Sequence, residues 1–99
     1  MLNHVVLFKF KAYPSDEKQE KLNQLKAALL GLKEKIAELK YIEVGTNYEL
    51  DAKSFDLCLI THFENEADLK TYAVHPEHLK VVELVKEFTE NRAAVDFEF

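Results

Sequence analysis

The nine residues Asn3-His4-Val5-Val6-Leu7-Phe8-Lys9-Phe10-Lys11 constrain the fold most strongly. Successive side chains of a β-strand point to opposite faces. The even-numbered positions carry His4, Val6, Phe8 and Phe10, and the odd-numbered positions begin with Val5 and Leu7. Because both sets contain apolar side chains, residues 3–11 are predicted to form a strand that is buried on both faces.

A long helix is predicted after this strand. Pro14 precedes Ser15, which suits an N-cap, and the acidic pair Asp16-Glu17 suits the positive end of a helix dipole. Gly31 interrupts the helical pattern and favours a kink or an early stop. A coiled coil is the competing interpretation, but the pattern is short and strands flank it. The apolar stripe consists of Leu22, Leu25, Leu29, Leu32, Ile36 and Leu39.

The remaining pattern predicts three strands and a broken helix. Strands are expected at 41–50 and 55–63, joined by a turn at 51–54, and a last strand at 94–99. Asn65 begins the second helix, with Asp68 three residues later as a variant of the capping box. His75-Pro76 interrupts that helix, since the residue before proline disfavours helical geometry and proline suits the first turn of a new helix.

The resulting order, βαββαβ, predicts one α+β domain over residues 1–99 with a ferredoxin-like fold: a four-stranded antiparallel sheet with helices on one face. Strands 3–11 and 55–63 carry apolar side chains on both faces, so something must also cover the other face. A second copy packed sheet against sheet about a two-fold axis is the simplest cover. The sequence therefore predicts a homodimer through the sheet face.

Composition excludes several classes of protein. The 13 Lys plus Arg and 18 Asp plus Glu give a net charge of −5, which argues against nucleic acid as a partner. The chain has no apolar run of membrane-spanning length and no leader-like start, so we expect a cytoplasmic protein that does not enter a membrane. Cys58 is the single cysteine and is expected to be a small core residue. The sequence has no phosphate-binding glycine loop, so no cofactor is predicted.

His78 and Tyr72 are the candidate catalytic residues. His78 stands four residues before Val82 and seven before Val85, which places it on the inward face of the restarted helix. Tyr72 lies beside Leu69 on the apolar face before the break. An imidazole and a phenol at one cavity suit general acid–base chemistry. The competing interpretation is that His78 caps the helix or is a satisfied core group, and His75 with His78 makes only a weak metal pair.

The sequence also resembles the stress-responsive dimeric α/β-barrel (Dabb) domain family. The resemblance rests on His4-Val5-Val6-Leu7-Phe8-Lys9-Phe10-Lys11, Ile42-Glu43-Val44-Gly45-Thr46-Asn47, Phe55-Asp56-Leu57 with Phe63, and Leu69, Tyr72 and His75-Pro76-Glu77-His78. It implies a ferredoxin-like protomer whose sheet packs against that of its partner to close a barrel. In a plant branch of polyketide cyclases, a His and a Tyr of the second helix act inside the barrel. Their positions match His78 and Tyr72, and the early strand histidine matches His4.

Two functions are expected from these features. The first is binding of a small apolar or phenolic molecule in the barrel, without a cofactor or metal. The second is a cofactor-free cyclase, isomerase or lyase, in which His78 is the general base, Tyr72 donates a hydrogen bond and His4 orients the substrate or His78. A purely structural role ranks behind both. The expected binding residues are His4, Val6, Phe8, Leu57, Leu59 and His75.

Overall fold

The computed structural model describes residues 1–49 and 53–99. Leu50, Asp51 and Ala52, which belong to the predicted second strand and the turn after it, lie outside the described residues. The elements, in chain order, are β1 (Leu2–Phe10), α1 (Ser15–Leu30), a 3₁₀ turn (Gly31–Glu34), β2 (Tyr41–Thr46), β3 (Leu57–Phe63), α2 (Glu66–Val74), α3 (Pro76–Phe88) and β4 (Thr89–Glu98).

The four strands form one antiparallel sheet in the order β2-β3-β1-β4. Val6 of β1 lies opposite Leu59 of β3 on one side and Ala94 of β4 on the other. Since β3 separates β1 from β2, the unit β1-α1-β2 is a split βαβ crossover. The predicted ferredoxin-like α+β fold is confirmed.

The hydrophobic core lies between one face of the sheet and the helices. Val6, Phe8 and Phe10 of β1 and Leu57, Leu59 and Phe63 of β3 enter it. The alternation predicted apolar side chains on both faces of these strands but did not specify which face meets the helices. Helix α1 stops at Leu30, and the predicted break at Gly31 is confirmed. Its apolar stripe nevertheless stays buried through the 3₁₀ turn and the loop, because Leu32, Ile36 and Leu39 are each 1% exposed.

The helix ends agree with the sequence in two of three places. Asn65 caps α2, since its side chain accepts a hydrogen bond from the Asp68 amide at 2.9 Å. The predicted break before Pro76 separates α2 from α3, and His75 there has an extended backbone. The expected N-cap at Ser15 is wrong, because the extended backbone of Pro14 (ψ 151°) makes Pro14 the cap and Ser15 the first helical residue. Pro14 makes no side-chain hydrogen bond to the helix.

Three strand ends also differ from the prediction. The second strand ends at Thr46, and the third begins at Leu57 rather than Phe55. Asp56 instead connects β1 and α1 before β3 begins, and its contacts are here called the latch. Its carboxylate accepts a hydrogen bond from the Phe10 amide at 2.7 Å and lies 3.2 Å from the Lys18 ammonium. The last strand begins at Thr89 rather than Ala94, because its first half pairs with β1 through polar, exposed residues that show no hydrophobic alternation.

The opposite face of the sheet, here called the helix-free face, carries no helix among the described residues. His62 stacks there on Tyr41, with ring centroids 4.5 Å apart, and on Phe99 at 4.6 Å. The apolar and aromatic members of this face are Val5, Leu7, Tyr41, Cys58, Ile60, His62, Val95, Phe97 and Phe99.

No helix in the described parts of the chain is long and apolar enough to span a membrane.

Candidate functional site

A cavity of about 310 Å³ lies between the helix side of the sheet and the helices α2 and α3. Its wall is mostly aliphatic, and four polar side chains enter it. The exposed Arg92 on the edge strand β4 marks the side that meets solvent. The polar lining residues are His4, Tyr72, His78 and Arg92, and the apolar ones are Val6, Phe8, Leu29, Leu59, Leu69, Ala73, Val81, Val82 and Val85.

The break between α2 and α3 brings Tyr72 and His78 together. Tyr72 lies in the last turn of α2 and His78 in the first turn of α3. The extended backbone of His75 turns the chain between the two helices, and its ring nitrogen Nδ1 accepts a hydrogen bond from the Glu77 amide at 3.1 Å. The rings of Tyr72 and His78 consequently lie 4.3 Å apart, centroid to centroid, tilted by 40°.

The hydrogen bond of His78 assigns its tautomer. Its Nδ1 lies 3.0 Å from the carbonyl oxygen of Ala73, which only accepts, so Nδ1 carries a proton. In the neutral ring the basic nitrogen is then Nε2. Burial lowers the pKa of His78 below its usual 6.5, and the hydrogen bond to Ala73 only partly opposes this; nearby positive charge, that of Arg92 included, lowers it further. His78 is therefore a neutral base at physiological pH.

Tyr72 presents a buried phenol. The residue is 1% exposed, and its ring packs on Phe63 with centroids 4.9 Å apart. Its hydroxyl oxygen is buried and has no hydrogen-bond partner among the described residues. Burial raises the pKa of Tyr72 to about 12, so the phenol stays protonated and acts as a hydrogen-bond donor. Burying an unpaired hydroxyl costs about 1–3 kcal/mol of stability.

His4 is held by a neighbour on β4. Its Nδ1 contacts a carboxylate oxygen of Asp96, the residue opposite it in the strand register. Its backbone carbonyl accepts a hydrogen bond from the Thr61 hydroxyl at 3.0 Å. The carboxylate fixes the orientation of the imidazole, as an acceptor does for a histidine whose other nitrogen faces a site.

The structure brings six of the eight predicted site residues to one cavity: His4, Val6, Phe8, Leu59, Tyr72 and His78. Leu57 does not line it, because it packs in the main core at the start of β3. His75 does not line it either, because its ring caps α3. The resemblance implied a ligand inside the barrel, whereas this cavity lies on the helix side of the sheet, within one protomer.

Arg92 is the cavity residue that sequence reasoning missed. The last strand was predicted to begin at Ala94, so Arg92 had no assigned face. One signal was available: Arg92 is the single arginine of a chain with twelve lysines. Among the described residues there is no group of three or more His, Cys, Asp or Glu side chains arranged to hold a metal ion.

Comparison with known proteins places this geometry in a family. An Arabidopsis thaliana stress-response A/B barrel domain-containing protein, DABB1, is 28% identical over 98% of the chain, which spans only 46% of that relative. A dimeric protein of unknown function and ferredoxin-like fold from Bacteroides fragilis is 38% identical, with a TM-score of 0.91, covering 99% of this chain and 95% of that one. A hydroxynitrile lyase from Passiflora edulis shares the fold at 20% identity, with a TM-score of 0.81 and coverages of 97% and 90%. The family model for the stress responsive A/B barrel domain matches residues 2–99, and the chain belongs to that family.

Proposed function

We propose that the cavity binds a small, largely apolar molecule that carries a carbonyl or phenolic oxygen. At about 310 Å³ it lies at the lower end of the size range of ligand sites, and a few polar groups in an apolar wall are typical of such sites. The observation that carries the proposal is the buried, unpaired Tyr72 hydroxyl beside the neutral imidazole of His78. A ligand oxygen there supplies the partner that the hydroxyl lacks.

Thermal unfolding with two probes, 4-propylphenol and 4-phenylbutan-2-one, tests this binding. A ligand at 100 times its Kd stabilises a protein by about 2.7 kcal/mol, which raises Tm by about 10 °C or more in a domain of this size. Val85→Phe fills part of the cavity and is expected to remove the shift. Val74→Phe makes the same change at a residue that is 70% exposed and is expected to keep it. No shift, or equal shifts in both variants, would contradict the proposal.

A second function, cofactor-free acid–base catalysis, is favoured by the tautomer of His78. With Nδ1 donating to Ala73, Nε2 is free to remove a proton from a carbon next to a carbonyl group. The electron pair left on that carbon moves towards the carbonyl oxygen, and the Tyr72 hydroxyl donates a hydrogen bond to the developing enolate. His4, held by Asp96, positions the substrate. Transfer of the proton from Nε2 to a different carbon completes an isomerisation. In a ring closure, the enolate carbon instead attacks a second carbonyl carbon of the same molecule, and the alkoxide formed from that carbonyl takes the proton from Nε2.

The scaffold supports this proposal only in general terms. The Passiflora edulis protein is a hydroxynitrile lyase, so the fold carries lyase chemistry elsewhere. At 20% identity that likeness concerns the fold, and the catalytic proposal therefore stands on His78 and Tyr72 themselves.

Proton exchange tests the chemistry without knowledge of the natural substrate. In D₂O, the protein is expected to accelerate exchange at the carbons flanking the carbonyl of 4-phenylbutan-2-one, followed by NMR. Positioned general bases contribute about 10²- to 10⁴-fold. His78→Phe keeps a ring against Tyr72 and is expected to abolish the acceleration, and Tyr72→Phe to reduce it. Exchange no faster than in buffer, or unchanged in His78→Phe, would rule out this role.

We further propose that a second copy of the chain covers the helix-free face. Val95, Phe97 and Phe99 are exposed there, beside the half-buried Val5 and Ile60. Contiguous apolar surface of this kind marks an interaction site. The 38% identical Bacteroides fragilis protein is dimeric, which supports a second copy as the occupant. The cytoplasmic location expected from the sequence stays a prediction.

A further inference from the structure

We propose that the molecule bound in the cavity carries a carboxylate, and that Arg92 is the residue that selects it. This inference rests on the proposed binding function and names the chemical class of the ligand: a small alkyl or aryl carboxylate. Its apolar body lies in the cavity and its anionic end at the edge of β4.

Strand register places Arg92 on the cavity side of the sheet. Arg92 lies opposite Phe8, and Asp96 lies opposite His4, so both face the helices with the even-numbered residues of β1. Four residues of a strand span about 13 Å. The two charged positions are therefore well separated along β4, and of the two only Arg92 lines the cavity.

Only one of these two charged side chains has a partner. Asp96 contacts the ring of His4. Arg92 is one of the residues that line the cavity, and its guanidinium makes no ion pair or hydrogen bond with any described residue. Its charge reaches the interior, since it contributes to the lowered pKa of His78. The cavity consequently offers an unpaired cation to whatever enters it.

A guanidinium recognises a planar anion through two parallel hydrogen bonds, and carboxylates fit this fork. The rest of the wall consists of aliphatic and aromatic side chains such as Leu59, Val81 and Val85. A ligand with a carboxylate at one end and an apolar body matches both parts. The middle of the ligand then passes Tyr72 and His78, where a carbonyl or phenolic oxygen accepts a hydrogen bond from the buried Tyr72 hydroxyl.

A charge on an edge strand also has an explanation that needs no ligand, because charged side chains discourage unwanted pairing of sheet edges. The two explanations differ in what they predict. A charge that only protects the edge gives no preference among head groups in the cavity. A charge that selects a ligand gives a preference that disappears with the arginine.

The test compares two probes that differ in head group, 4-phenylbutanoate and 4-phenylbutanamide, by calorimetric titration at pH 7.5. The wild type is expected to bind the carboxylate more tightly, on the order of tenfold. Arg92→Gln is expected to lose that preference by weakening the carboxylate alone. Lys33→Gln removes the same charge from an exposed site that does not line the cavity and is expected to keep the preference. Arg92→Lys keeps the positive charge without the paired N–H donors of the guanidinium. Its preference for the carboxylate is expected to lie between those of the wild type and Arg92→Gln.

The outcomes separate this inference from the function it rests on. If the wild type binds both probes equally, or if Arg92→Gln behaves like Lys33→Gln, the role of Arg92 is overturned while the binding cavity stands. If the wild type binds neither probe, both the cavity proposal and the role of Arg92 are overturned.

Discussion

Replacing Tyr72 by Phe is expected to make the ligand-free protein more stable. The substitution keeps the ring that packs against Phe63 and His78 and removes only a hydroxyl that is buried without a partner among the described residues. Leaving such a hydroxyl unpaired costs about 1–3 kcal/mol. In a domain of this size, 1 kcal/mol corresponds to about 4–8 °C in Tm, so the expected rise is at least about 4 °C.

The assay is urea and thermal unfolding of both proteins at equal protein concentration, because dimerisation would make Tm depend on concentration. Tyr13→Phe is the matched control. The Tyr13 hydroxyl donates to the carbonyl of Glu87 at 3.3 Å, so its removal is expected to lower stability by up to about 1 kcal/mol. The same substitution is thus expected to raise the free energy of unfolding at Tyr72 and to lower it at Tyr13.

The pH dependence gives a second readout of the same hydroxyl. The pKa of Tyr72 is raised to about 12 in the folded protein, against 10.0 for a free tyrosine. Stability from the neutral phenol is therefore present below pH 10 and is lost as pH rises towards 12, by about 1.4 kcal/mol per unit. Tyr72→Phe lacks this loss. If Tyr72→Phe is instead less stable than the wild type at neutral pH, the hydroxyl is paired in solution and the account of the site is refuted.

Three further predictions concern the latch, the base and the helix-free face. Asp56→Asn is expected to cost about 3 kcal/mol in urea unfolding, because it breaks a buried ion pair, whereas Glu83→Gln at an exposed pair is expected to change stability by less than about 0.5 kcal/mol; equal effects would contradict the burial of the latch. The pH midpoint of His78 in an NMR titration is expected below 6.5, because burial lowers its pKa. The stability that depends on the neutral ring is fully present above pH 6.5 and is lost as pH falls through the lowered pKa of the folded protein. A midpoint at or above 6.5 would show that the ring is solvated. Light scattering is expected to find a dimer for the wild type and for Leu79→Asp on an exposed helix position, and a monomer for Phe97→Asp; a dimer in all three would place the interface elsewhere.

The sequence predicted those features that depend on local pattern. Alternation along residues 3–11 and 55–63 indicated strands with two apolar faces, and Pro76 marked the break that brings Tyr72 beside His78. Helical spacing alone placed His78 on the inward face, and the structure puts it in the cavity wall.

Features that depend on tertiary context were out of reach. The start of β4 carries polar, exposed side chains because it is an edge strand, so it shows no alternation, and Arg92 was missed with it. Whether Leu57 lines a cavity or fills a core is decided by the packing around it, which periodicity does not contain. The cap formed by His75 likewise depends on a ring orientation that spacing does not specify.

The position of a bound probe is measured most directly by amide chemical shifts. The proposed ligand site lies under α2 and α3, within one protomer. Saturating 4-phenylbutan-2-one is expected to move the amide signals of Tyr72, Ala73, His78 and Val81, and to leave those of Tyr41 and Phe99 on the helix-free face unchanged. Shifts confined to Tyr41 and Phe99, or no shift from Tyr72 to Val81, would contradict a binding site between the sheet and these helices.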